Sequence, residues 1–198
     1  MGQALADLAL FERRPDDATT ILDEYAALPR VEPDGGYTWA MVAEMELRRG
    51  HRAAALGAAD KAVAMRDPWA ARDAGRVYLQ TGEHKRAALV SALLDENLGP
   101  ETTLVARLFA ADMLRSGHDL AGALEALRDV PGVVDAWMVH LERARIYLAL
   151  GDVGKARSEL GICVARRGEG ALAYSLVFPT LRYVREATDL LASLDRDR

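Results

Sequence analysis

The side chains whose ordinary pKa values lie nearest neutral pH, and which can also ligate zinc-like metals, are four histidines and one cysteine, and their spacing limits what they can do. His51 and His118 each follow a glycine that closes an apolar-periodic run, and His84 lies two residues after another such glycine, Gly82. The pitch of a sequence repeat separates the three, so they do not converge on one ion. His140 falls inside a helical pattern, where a half-buried histidine with a hydrogen-bond partner is the expectation. Cys163 has no second cysteine to pair with and reads as a small buried hydrophobe. The turns "GDVG" and "RGEG" lack the lysine and the strand-to-helix context of a phosphate loop. No serine sits in a nucleophile elbow. The carboxylates of Asp16 and Asp17 fall at a helix start, where negative charge complements the helix dipole. The expectation is a protein that is not an enzyme and works with no cofactor and no metal.

Composition points to helices. The chain has 198 residues, enough for one domain or one array of small repeats with a sizeable core. Half of it is apolar, mostly Ala, Leu and Val, with only 6% aromatic residues, a mixture that favours close-packed helices over a sheet. The net charge of −5 gives no general reason to expect nucleic acid. Only Lys61, Lys85 and Lys155 are lysines, so nearly every positive charge is an arginine, a bias that a GC-rich genome produces as readily as selection for binding. The N-terminus "MGQALADLALFERRPDD" has no basic n-region, and Asp7 and Glu12 break its apolar run, so it does not read as a signal peptide. No later apolar run is long enough to span a bilayer, and the expectation is a soluble cytoplasmic protein without a membrane partner.

What must position any functional side chain is a repeating helical unit. Gly50, Gly82, Gly117 and Gly151 each close one apolar-periodic run and open another, at spacings of 32, 35 and 34 residues. A glycine in the left-handed conformation ends one helix and lets the next fold back, and self-similarity at this period marks stacked helix-turn-helix units. "VYLQTGEHKRAAL" and "IYLALGDVGKARSEL" align on Tyr78, Gly82 and Ala87 against Tyr147, Gly151 and Ala156. Bulky Tyr78, Met113 and Tyr147 sit four residues before the glycine, and small residues follow it where two helices must approach closely.

Trp39 with Val42-Ala43, Ala74-Gly75 with Tyr78, and Ala144 with Tyr147 and "GDVGKA" resemble the tetratricopeptide repeat. The resemblance implies an all-α, right-handed superhelical solenoid of about five helix pairs. Its frame gives repeats at 1–35, 36–67, 68–102, 103–136 and 137–170, with a C-terminal cap at 171–198. In the first unit Pro15 stands where the glycine belongs and Phe11 where the tyrosine belongs. The unit 103–136, with "GHDLAGAL", has a turn one residue longer than the others, and the unit 137–170 carries Arg143 where a leucine is usual. Pro179 breaks the tail into two helical pieces, with Leu190, Leu191 and Leu194 packing on the last repeat and Asp195 to Arg198 solvated.

The resemblance also implies where a ligand lies, because the first helix of each unit lines a concave groove. The register places Tyr37, Arg48, Trp69, Arg72, Arg76, Arg107, Arg115, Met138 and Arg145 on that face. Asp73, Asp112 and Glu142 stand at helical spacing to offset Arg76, Arg115 and Arg145. Arg72 and Arg107 have no carboxylate at such spacing. Either these arginines grip carboxylates of a partner in bidentate fashion, with Trp69, Leu104 and Met138 as apolar anchors, or Glu44 reaches Arg72 or Arg76 and the rest are solvated. Chaperone-tail members of the family use asparagine at the ninth helix position, where this chain has Glu44, Arg76, Ala111 and Arg145. The implied function is a protein-interaction scaffold binding a protein or peptide segment of acidic character. The alternative is a regulatory or sensory module that binds a signalling peptide within a larger signalling or transcription-regulatory protein. Trp39 and Trp137 read as core packing.

Overall fold

The structure, a computed structural model, describes residues 2–27, 35–96, 99–128, 137–166 and 181–196, and every regular element among them is an α-helix. In chain order these are α1 (Gly2–Phe11), α2 (Pro15–Ala27), α3 (Gly35–Arg48), α4 (Arg52–Ala64), α5 (Pro68–Gln80) and α6 (His84–Asp95), then α7 (Pro100–Ser116), α8 (Leu120–Ala126), α9 (Trp137–Ala149), α10 (Val153–Ala165) and α11 (Leu181–Arg196). The chain divides into two compact units, Met1–Phe109 and Ala110–Arg198, with the boundary inside α7. The break expected at Pro179 lies outside the described residues.

One turn geometry joins α1 to α2, α3 to α4, α5 to α6, α7 to α8 and α9 to α10. After α5 the Gly82 amide donates to the Leu79 carbonyl (3.1 Å) and the Glu83 amide to the Tyr78 carbonyl (2.8 Å), with Gly82 at φ 76°. This Schellman pair of bonds occupies carbonyls that a helix end would otherwise leave unpaired. The same two bonds recur around Arg13, Gly50, His118 and Gly151, each of them at positive φ. Two of these positions differ from the sequence expectation. In the fourth turn, between α7 and α8, the left-handed residue is His118, not Gly117, because the turn has one extra residue. In the first it is Arg13, not Pro15: a proline ring holds φ near −65°, which suits the first position of α2 and forbids the left-handed one.

Side chains start three of the helices. Asp67, Asp119 and Asp152 accept from the amides of Ala70 (2.9 Å), Gly122 (2.8 Å) and Lys155 (3.0 Å), caps worth about 1 kcal/mol each. Pro68 follows Asp67 at the first turn of α5, where its missing N–H leaves no bond unmade.

In the first unit each hairpin packs on the next, α2 against α3 and α4 against α5, with α3 also against α5. Ala55, Ala59 and Ala62 on α4 and Ala70, Ala71 and Ala74 on α5 are wholly buried, and their small side chains let these backbones come close. Ala6, Ala9, Ala18, Leu22, Met41 and Met45 form a cluster under α1, α2 and α3. Trp39, expected in the core, is only half-buried and lies under the Lys61 ammonium, 3.9 Å from its ring centroid. In the second unit α9 packs on α10, and α10 on α11. Trp137, Leu141, Ala144, Leu160 and Cys163 fill that core, and α11 adds Tyr183, Val184 and Ala187. Leu190, Leu191 and Leu194, expected to carry the docking of this helix, are half-buried, so its first two turns bury more than its last.

Candidate partner-binding surface

The nine residues expected on a ligand face divide sharply by burial. Tyr37, Trp69, Arg72 and Met138 are buried. Tyr37 donates its hydroxyl proton to Asp67 (3.1 Å), the residue that caps α5, and so ties α3 to the start of α5. Trp69 and Met138 belong to the cores of their units. Arg72 has 0% exposure, and its place in the middle of α5, between buried Ala71 and buried Asp73, puts its guanidinium within the fold. The expectation that Arg72 faces an open groove therefore does not hold. Helical spacing alone does not distinguish a solvated side of α5 from one that neighbouring helices cover.

The other five arginines keep some access to solvent, in different states. Arg48 is exposed and bonded to Glu44 (2.7 Å), one turn earlier on α3. Arg76 is half-buried. Arg107 is exposed on α7, and no described carboxylate pairs with it. Arg115 donates to Asp112 (3.2 Å), a buried carboxylate on the preceding turn. Arg145 is the most enclosed of the five, with a side chain 9% exposed. It pairs with buried Glu142 on its own helix and forks onto both carboxylate oxygens of Glu186 from α11, its Nε donating to Oε1 at 2.8 Å. The pairing of Asp112 with Arg115 and of Glu142 with Arg145 follows the helical spacing in the sequence. The Glu186 fork spans 41 positions, and no local pattern announces it.

Within the first unit, then, the residues assigned by the register to this face that remain accessible are Arg48 and Arg107, with half-buried Arg76 and the half-buried Leu47 and Leu79, each the last residue but one of its helix. Such a surface offers guanidinium donors beside small apolar contacts. It can hold carboxylates by charge-assisted hydrogen bonds, while the leucines contribute burial.

The remaining polar groups act between helices. Tyr78 donates to Asp60 (2.7 Å), Arg86 reaches the same carboxylate (3.2 Å), and the Arg86 guanidinium lies 5.7 Å from the Tyr78 ring centroid. Burial, and then the bond to Asp60, push the Tyr78 phenol well above its ordinary range. Lys155 stands over Tyr147 at 5.3 Å in the same relative position. His140 is buried with Nδ1 2.6 Å from Glu159, joining α9 to α10. Burial pushes the Cys163 thiol up to about 12, so it carries no thiolate near neutral pH. Among the described residues no three His, Cys, Asp or Glu side chains gather into a metal site, and no described helix is long and apolar enough to cross a membrane. The chain matches no known protein-family model and no curated protein.

Proposed function

We propose that the chain is a tetratricopeptide-like array, a right-handed superhelical solenoid of about five helix pairs closed by a C-terminal capping helix, and that it serves as a protein-interaction scaffold for an acidic partner segment. Five hairpins turned by one Schellman geometry, and the aromatic-over-cation pairs at Tyr78 with Arg86 and Tyr147 with Lys155, support the repeat reading. So does the fit of Gly75, a helix-interior glycine seated against a neighbouring aromatic ring. The observation that carries the functional reading is Arg107, a solvent-exposed guanidinium with no described ion-pair partner, which the repeat register assigns to the same face as Arg48 and Arg76. An exposed guanidinium that no described carboxylate pairs suits an external one.

The test is the fluorescence anisotropy of a labelled oligoglutamate peptide titrated with the whole chain. Arg107→Glu is expected to weaken binding about tenfold or more, the scale of a lost charge-assisted hydrogen bond. Arg66→Glu, the same charge change at an exposed residue paired with Glu96 outside this face, is expected to change it little. Binding should weaken with added salt, since the screening length is about 10 Å at 0.1 M. Equal losses in the two variants would reduce the face to a solvated surface.

A further inference from the structure

Two carboxylates from different helices close on Arg145. Glu142, whose side chain is 2% exposed, already balances the guanidinium from the same helix. Glu186 arrives from α11 with a side chain 38% exposed and takes the forked, two-oxygen position. The two carboxylates are therefore unequal. Glu142 is enclosed with the guanidinium, whereas Glu186, at the edge, can turn out to water while Glu142 stays paired with Arg145.

Nor does the docking of α11 depend on that fork. Tyr183, Val184 and Ala187 are buried, and at the far end Arg157 donates to the Leu194 carbonyl and pairs with Asp195 at 3.4 Å. A rotation of the Glu186 side chain thus opens the outer side of Arg145 while the helix stays in place.

We propose that Glu186 is a built-in occupant of a carboxylate-binding site centred on Arg145, and that an acidic side chain of the partner takes the same position when Glu186 swings out. The proposal rests on the reading of the chain as a scaffold for acidic segments, and it makes α11 a competitor within the molecule. Apparent affinity then equals intrinsic affinity multiplied by the fraction of time the site is open. A site filled nine-tenths of the time by Glu186 binds about tenfold more weakly than one left open.

The experiment measures the labelled oligoglutamate peptide against the whole chain and three variants, with thermal melts to establish that each is folded. Glu186→Gln, which keeps the shape and removes the charge, is expected to bind about tenfold more tightly than the parent. Glu186→Asp, one methylene shorter and so drawn back from the fork, is expected to fall between the two, and it carries the test if the glutamine variant does not fold. Glu125→Gln makes the same charge change on α8, where Glu125 pairs with Arg128, and is expected to leave affinity nearly unchanged. If Glu186→Gln binds no more tightly than the parent while parent binding still depends on Arg107, the internal competitor is refuted and the scaffold reading stands. If Glu125→Gln gains as much as Glu186→Gln, the gain is one of net charge and the proposal is again refuted. If no variant binds the peptide, the scaffold reading fails and this inference fails with it.

Discussion

Gly75 in the middle of α5 faces the Phe109 ring so closely that a Cβ on Gly75 would stand 2.5 Å from both Cε2 and Cζ. Val90 Cγ1 would lie 3.2 Å from the same Cβ, and Phe109 is itself wholly buried, so the ring is enclosed where it would have to shift. Alanine favours a helix interior over glycine by about 1 kcal/mol, but overpacking costs about 1–3 kcal/mol. Gly75→Ala is therefore expected to destabilise the chain by about 1 kcal/mol in chemical denaturation. Adding Phe109→Leu, which removes the offending ring edge, should make the double variant less destabilised than the sum of the two single changes in a double-mutant cycle. A stabilising Gly75→Ala would mean that the two helices stand farther apart.

At Gly82 the constraint is backbone and not space. A Cβ there would meet nothing within 4 Å, yet φ is 76°. Gly82→Val is expected to cost about 1–2 kcal/mol from the left-handed conformation alone, roughly 2–4 °C in melting temperature for each kcal/mol. Gly57, also in open surroundings but inside α4 without positive φ, should gain on replacement by alanine. Equal melting shifts at the two sites would show that conformation at Gly82 is unimportant.

Burial separates two arginines that the sequence treats alike. Arg72→Glu places a carboxylate where a wholly buried guanidinium stood and is expected to destabilise by several kcal/mol, about 3–5 by analogy with broken buried pairs. Arg107→Glu, at an exposed position, should leave the melting temperature nearly unchanged. Similar melting curves for the two variants would overturn the burial of Arg72.

Acid should weaken the turn between α3 and α4. Burial raises the Glu46 carboxyl, but hydrogen bonds from His51 and Arg49 outweigh it and hold the carboxyl below its ordinary value of 4.5. A carboxylate whose folded pKa is depressed contributes stability that is complete above the ordinary carboxylate range and disappears as the pH falls through the folded value. The stability difference between the parent and Glu46→Gln, followed by urea unfolding, should be full at neutral pH and close on the acid side of 4.5. A difference that stays constant down to strong acid would assign the effect to packing.

How much of this was legible beforehand depends on the range of the interaction. The hairpin turns were visible because only a left-handed residue closes them, and glycine marks three of the five. The surplus residue in the turn between α7 and α8 was visible, but the shift of the left-handed position from Gly117 to His118 was not. Arg13 was not, since arginine carries no such signal and the proline beside it drew the assignment away. Ion pairs three residues apart on one helix, Asp112 with Arg115 and Glu142 with Arg145, follow from helical geometry. The burial of Arg72 and the fork from Glu186 to Arg145 do not, because both are set by elements that pack from a distance along the chain. The candidate surface was accordingly readable as a list of arginines, but not as a division between those enclosed and those open to a partner.

The five turns share one backbone shape but not one degree of strain. Three reach the left-handed region with glycine, while Arg13 and His118 hold it with side chains that ordinarily avoid it. At about 1–2 kcal/mol for each such residue, the joints between α1 and α2 and between α7 and α8 are the ones nearest to springing open. Amide hydrogens flanking Arg13 and His118 should accordingly trade with deuterium sooner than their counterparts beside Gly82 and Gly151, so that, of the five hairpin turns, the first and fourth breathe most.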